Sequence, residues 1–218
     1  MATLKKTIVP KGLAIATIAS DADIAAGVAA LIRVCPAMAA AHALTGHPPL
    51  RRWSNGFPGL VRIVAGQQLS TASAAAIHGR LIAVIDPMTP QAFARATHLS
   101  LRGCGLSASK IATLRGLASL DFAALAVMDG AAARDTLLAL RGIGPWTADI
   151  YLMFCRGDAD AFAPGDLALQ IGVQKLLALD ERPGPIEILR IAERWRPWRG
   201  VAARLIWAYY GAMKAAGT

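Results

Sequence analysis

The 218 residues are 55% hydrophobic and 17% charged, enough apolar material for a sizeable core and too much for a disordered chain. Lys and Arg number 23 against 14 Asp and Glu, and the net charge of +9 suits a polyanion, either nucleic acid or an anionic surface. No apolar run reaches the roughly 18–20 residues that span a bilayer, so an integral membrane protein is not expected.

The three cysteines, Cys35, Cys104 and Cys155, lie far apart in no zinc or iron–sulfur spacing and read as reduced thiols of a cytoplasmic protein. Residues 1–20 read as an irregular arm. Within it Lys5, Lys6 and Lys11 precede Gly12–Ser20 in imitation of a signal peptide, but the apolar part is short and no disulfide framework follows.

Asp21 is placed to cap a helix striped by Ile24, Val28, Leu31, Ile32 and Val34, and Pro36 kinks or restarts its Ala-rich continuation before Gly46. After the breaker His47-Pro48-Pro49, Pro58 opens a helix carrying Leu60, Val61, Ile63 and Val64. Gly66-Gln67-Gln68-Leu69 ends it as a polar tip on an apolar hairpin, and Ser70 caps the next helix to about Ile85. The tip reads either as a solvated corner or as a wedge for a duplex. Thr89-Pro90 and Ser107 start further helices, and two more cover about 121–127 and 130–140. A helix from Pro145 to about Arg156 follows, then a turn-rich link, then one capped by Asp166. Pro185 and Pro197 open the last two, the second striped by Val201, Leu205, Ile206 and Tyr209. No strand pattern and no repeat occur, so the fold class is all-α.

Leu140-Arg141-Gly142-Ile143-Gly144-Pro145-Trp146-Thr147-Ala148 reads as helix, Gly-x-Gly turn, helix. The free N–H groups of such a turn and of the new helix make an anion site that a phosphate fits. An ordinary helix–helix corner explains the glycines equally well. Asp166, behind Pro164-Gly165, stands where a helix cap is expected. The same helix N–H groups favour its charged form, which makes a poor acid but a good stabiliser of developing positive charge. Asp158 and Asp160 read as solvated loop residues and Asp149 as a surface residue. The four histidines show no metal-ligand spacing, and no serine hydrolase elbow or Walker loop is present. Of the five tryptophans, Trp146 is placed to edge a pocket, where an indole face attracts a cationic ring. The six arginines between Arg182 and Arg204, against Glu187 and Glu193, suit phosphate contact or a solvated face.

Five segments taken together resemble the helix-hairpin-helix DNA glycosylase superfamily, in its alkylpurine (3-methyladenine) branch. They are Ile63–Ser70, Gly105–Lys110, Leu140–Ala148, Asp160–Asp166 and Trp195–Ala203 with Leu205-Ile206-Trp207, in the family's order over roughly residues 50–210. The resemblance implies two small helical lobes with a cleft between them. Lobe A would cover about 60–160, and lobe B about 20–59 plus 166–215. It implies a monomer that binds double-stranded DNA and flips an alkylated purine into the cleft.

By the same resemblance Asp166 is the catalytic residue, stabilising an oxocarbenium-like sugar. Trp146, Trp207 and Tyr151 line the base pocket. Gly142, Gly144, Thr147, Arg141, Gln67 and Gln68 meet the DNA, with Gln68 at the position that fills the gap left by the flipped base. No cofactor or metal is implied beyond the monovalent cation that some members hold at the hairpin. Bifunctional members carry a Schiff-base Lys where Trp146 stands, so lyase chemistry is not expected. Ile150 replaces a family tyrosine, which touches substrate range. The alternatives are a non-catalytic hairpin clamp on DNA and a glycosylase for deaminated or mismatched bases.

Overall fold

The computed structural model describes residues 17–217, so most of the arm expected over 1–20 lies outside the described residues. Two helices open the described chain, α1 (Asp21–Val34) and α2 (Pro36–Thr45). A run of shorter ones follows: α3 (Phe57–Gly66), α4 (Thr71–Val84), α5 (Pro90–Arg95), α6 (His98–Gly103), α7 (Ala108–Gly116), α8 (Phe122–Val127) and α9 (Gly130–Leu138). After the hairpin come α10 (Pro145–Tyr151), α11 (Leu167–Leu176), α12 (Pro185–Ala192) and α13 (Arg199–Ala215). The fold is all-α, as expected. Among the described residues the only extended pairing is an isolated bridge between Thr17 and Asp158. None of these helices is long and apolar enough to cross a membrane.

Helices this short are marginal in isolation, and side-chain caps make up part of the deficit. Ser70, Thr89, Thr97, Ser107, Asp121, Asp129 and Asp166 each accept a hydrogen bond from the first turn of the helix they precede. Each such cap contributes about 1 kcal/mol. At α1 the cap is Ser20 rather than Asp21. Ser20 accepts from the Asp23 N–H while the Asp23 carboxylate accepts from the Ser20 N–H, a capping box. The last helix likewise begins at Arg199, two residues beyond Pro197.

The helix after Pro145 does not run on as α to Arg156. Beyond Tyr151 it widens into a π segment over Leu152–Arg156, closed by Gly157 in the left-handed region. Two carbonyls of this segment find partners outside the helix: Phe154 C=O takes the Trp53 N–H at 2.9 Å, and Met153 C=O takes the Arg204 guanidinium at 2.7 Å. Partners from outside the ladder are a recognised cause of such a bulge.

Helices α1, α2, α11, α12 and α13 pack on one another, and α3 gathers α4, α7 and α10 around itself. At Gly172 the approach of α11 to α13 is closest: any Cβ there would collide with the Ile206 side chain. That contact matters below, because α11 begins at the Asp166 cap and α13 carries Trp207.

Candidate active site

Three helices converge on Asp166. The residue caps α11, its Oδ1 accepting from the Leu169 N–H at 3.0 Å. The same oxygen accepts from the Trp207 indole N–H on α13 at 3.0 Å, and Oδ2 accepts from the Trp146 indole N–H on α10 at 2.9 Å. A cap needs only the backbone bond, so the two indoles exceed what the helix requires. All three donors are neutral. Among the described residues no Lys, Arg or His forms an ion pair with Asp166. Its charge is therefore oriented without being cancelled, in a half-buried place where a charge acts more strongly than in water.

Beside it stands a ladder of rings. Trp207 stacks on Phe154 with centroids 5.6 Å apart and planes 24° apart, and Phe154 meets Trp53 at 4.8 Å. The Arg204 guanidinium lies 4.7 Å from the centre of the Phe154 ring. Burial, with Arg52 and Arg51 nearby, brings its pKa down to about 10. A hollow of about 70 Å³ lies between Pro49, Arg51, Phe154, Arg204, Trp207 and Ala208. Sequence reasoning missed Phe154. It sits eight residues beyond Trp146 on what read as one continuous helix, and only the π segment gives it its place.

In the hairpin, Gly142 has φ +87°, and a Cβ there would overlap the Thr113 hydroxyl on α7. Gly144 differs. Its φ of −91° suits any residue, and a Cβ would meet nothing within 4 Å. Among the described residues nothing requires glycine at 144. Arg141 is exposed beside it.

Gln67 and Gln68 form the tip after α3, where Gln68 is exposed with φ +58° and Leu69 is also exposed. The Gln67 amide donates to the Thr147 hydroxyl at 2.8 Å and more weakly to the Gly142 carbonyl at 3.4 Å, so tip and hairpin are joined.

Two expectations need correction. Thr147 is buried, its hydroxyl accepting from the Gln67 amide, so its side chain lies beneath the hairpin surface and not on it. Tyr151 is fully buried, its hydroxyl donating to Asn55 Oδ1 at 2.6 Å and accepting from the Gly56 N–H at 3.0 Å. Five residues along a helix turn a side chain by roughly 140°. Tyr151 therefore faces the core while Trp146 faces Asp166.

The other carboxylates are not solvated either. Asp149 is buried and pairs with Arg134 at 2.6 Å, Asp158 is buried and pairs with Arg156 at 3.3 Å, and Asp160 pairs with Arg196 and Arg199. Burial pushes the carboxyls of Asp149 and Asp158 up from the ordinary range, against the pull of their arginines. These groups border a hollow of about 490 Å³ between α9, the 158–164 segment and α12–α13. It is larger than the hollow beside Trp207; each of these three carboxylates is paired with an arginine, although Oδ2 of Asp149 and of Asp158 has no hydrogen-bond partner among the described residues.

Residues 61–197 match the model of the HhH-GPD superfamily of base excision DNA repair proteins, and the chain belongs to that family. It is 33% identical over 162 residues to the probable bifunctional transcriptional activator/DNA repair enzyme AlkA of Mycobacterium tuberculosis, covering 67% of this chain and 32% of that one. It is 30% identical to DNA-3-methyladenine glycosylase 1 of Schizosaccharomyces pombe over 68% of this chain and 69% of that protein. The chain thus spans about a third of the mycobacterial relative and about two thirds of the yeast one. The fold superposes on the structure of the S. pombe 3-methyladenine DNA glycosylase Mag1 in complex with abasic DNA, with a TM-score of 0.76. That match has 25% sequence identity and covers 84% of this chain and 95% of that one.

Proposed function

We propose that the chain is a monofunctional DNA glycosylase of base excision repair, a monomer that hydrolyses the N-glycosidic bond of alkylated purines flipped out of double-stranded DNA. The observation that carries this reading is the Asp166 carboxylate, fixed by two indole N–H groups and one backbone N–H and, among the described residues, in no ion pair. As the glycosidic bond breaks, positive charge grows on the sugar, and an uncancelled carboxylate stabilises it. A purine alkylated at N3 or N7 already carries positive charge, so it departs with little help from an acid. The half-buried faces of Trp146 and Trp207 suit a flat cationic ring. A mere DNA clamp would need neither the carboxylate nor its indoles.

DNA would be gripped by the backbone around Gly142 and Gly144 with Arg141, while the Gln67–Gln68 tip enters the duplex. The chain's net charge of +9 supports that partner. A monovalent cation at the hairpin is compatible with the turn, because the Leu140 carbonyl takes the Ile143 N–H and keeps a second lone pair. It would add positive charge for a phosphate. Trp146 stands where a Schiff-base lysine would be needed, so the strand is left intact at an abasic site.

The test is release of free bases from a panel of defined duplexes carrying alkylated, deaminated or mismatched bases. Alkylpurine release with an unbroken strand is expected. Borohydride trapping of a protein–DNA adduct with strand nicking would overturn the monofunctional claim. Release confined to deaminated or mismatched bases would move the substrate class.

A further inference from the structure

Lys110, on α7, is a half-buried cation bonded to the base of the tip. Its Nζ donates to two main-chain carbonyls, Ala65 and Gln67, each at 2.8 Å. Burial lowers its pKa from the ordinary lysine value. Both acceptors belong to the end of α3, where the last carbonyls lack helical partners and a cation is favoured.

The second of these carbonyls has a particular meaning. Gly66 to Leu69 form a β-turn closed by the Leu69 N–H on the Gly66 carbonyl at 3.2 Å. Gln67 has φ −52° and ψ +132°, and Gln68 has φ +58°, which are the angles of a type II turn. Types I and II differ by a flip of the central peptide, the one whose oxygen is Gln67 C=O. Type II asks for glycine at its third position, and here a glutamine occupies it at a conformational cost. The bond from Lys110 to Gln67 C=O favours the flipped peptide and so offsets that cost. One helical turn on, Thr113 of α7 packs against Gly142, and residues three apart share a helix face. A single face of α7 thus holds the tip by Lys110 and backs the hairpin by Thr113, while Gln67 ties the two together.

We propose that Lys110 is a positioning residue for lesion extrusion: it locks the Gln67–Gln68 peptide in its flipped orientation and thereby aims the tip at the duplex alongside the hairpin. The proposal rests on the glycosylase reading above. Its consequence is selective. A tip is needed to open a paired duplex and to fill the gap, and much less so where the lesion has no partner base.

The experiment compares single-turnover release of 7-methylguanine placed opposite cytosine with release from the same strand opposite an abasic site. Lys110→Met keeps most of the unbranched side chain and removes its donors. It is expected to lose about 10-fold or more on the paired substrate, the scale of one or two charge-assisted hydrogen bonds. On the unpaired substrate the loss should be under about threefold, and Lys110→Arg should restore most of the paired activity by supplying donors again. Equal losses on both substrates, no loss on either, or failure of the arginine to rescue would overturn the role. Should Lys110→Met not fold, Gln67→Leu cuts the tie between tip and hairpin and must show the same dependence on pairing, or the proposal falls. If the wild-type protein releases nothing even from the unpaired substrate, the glycosylase reading falls and this one with it. Wild-type release with a pairing-independent Lys110→Met defect removes only the role of Lys110.

Discussion

Asp166 and the trio Asp149, Asp158 and Asp160 are carboxylates of one stretch of chain, held in opposite ways. Each member of the trio is neutralised by an arginine: Arg134, Arg156, or the pair Arg196 and Arg199. Asp166 is held by two indoles and a peptide N–H, none of which carries charge. The first arrangement fixes structure, because a carboxylate matched to a guanidinium has little field left for a third party. The second fixes position alone and leaves the field directed outward. On the glycosylase reading, what separates Asp166 from the trio is therefore the charge of the partners, not the number of hydrogen bonds.

The largest expected effect breaks the comparison from the chemical side. Asp166→Asn keeps an oxygen for the Leu169 and Trp207 N–H groups, but turns an amide donor towards Trp146. Excision should fall by about 10²–10³ or more, the scale for a group that stabilises charge in a transition state. The melting temperature and the affinity for lesion DNA should change little, and single-turnover release beside those two measurements decides it. Release at the wild-type rate would reduce Asp166 to a helix cap.

The next breaks it from the structural side. Arg156→Met leaves Asp158 buried without its ion-pair partner and strips donors from the carbonyls of Leu125 and Met128. Removing one partner of a buried pair costs about 3–5 kcal/mol, which denaturant unfolding would read directly. Excision per folded molecule should stay near wild type. A variant as stable as wild type would show that the pair is not what holds the 158–164 segment.

Much of this contrast was written in the sequence and some could not be. Asp166 is legible because a carboxylate directly after Pro-Gly and before an apolar periodic run has one obvious local job. Gly142 and the helix caps at Ser70, Thr89 and Ser107 are local signals of the same kind. The arginine pairings of Asp149 and Asp160 were not legible, because Arg134 lies 15 residues from Asp149 and Arg199 39 residues from Asp160, and only packing brings them together. The misplacement of Tyr151 has another origin. Nearness to Trp146 along the chain suggested a shared pocket, whereas helical geometry sends the two side chains to different faces. The π segment that places Phe154 depends on Arg204 and the Trp53 backbone, neither of which is near in sequence.

Trp207→Phe sharpens the comparison by removing one neutral donor while keeping a ring against Phe154. Asp166 Oδ1 would retain the Leu169 N–H but lose its anchor to α13. A hydrogen bond to a charged group contributes about 1.5–3 kcal/mol, so a fall in excision of roughly 10-fold is expected, with modest change in stability. The measurement is the same single-turnover assay on 7-methylguanine. An unchanged rate would mean that Trp146 and the backbone suffice to hold the carboxylate.

The smallest effect concerns a third way of burying an acid, which is to keep it protonated. Burial pushes the Cys155 thiol up to about 12 from an ordinary value of 9.0, and the Tyr151 hydroxyl up to about 12 from 10.0. Between pH 9 and 12 an unfolded chain releases the thiol proton while the folded chain keeps it, so the folded state binds more protons. Stability is then intact below pH 9 and declines as pH rises, by about 1.4 kcal/mol per pH unit for one such group. Tyr151 adds its own decline only above pH 10. Cys155→Ser replaces the thiol with a hydroxyl that does not titrate in this range, so between pH 9 and 10 its stability should fall less steeply than that of wild type. The check is denaturant unfolding of both proteins at pH 8, 9 and 10, comparing slopes rather than absolute values because lysine titration is common to both. Parallel slopes would show that the Cys155 thiol ionises as readily in the folded protein as in the unfolded chain.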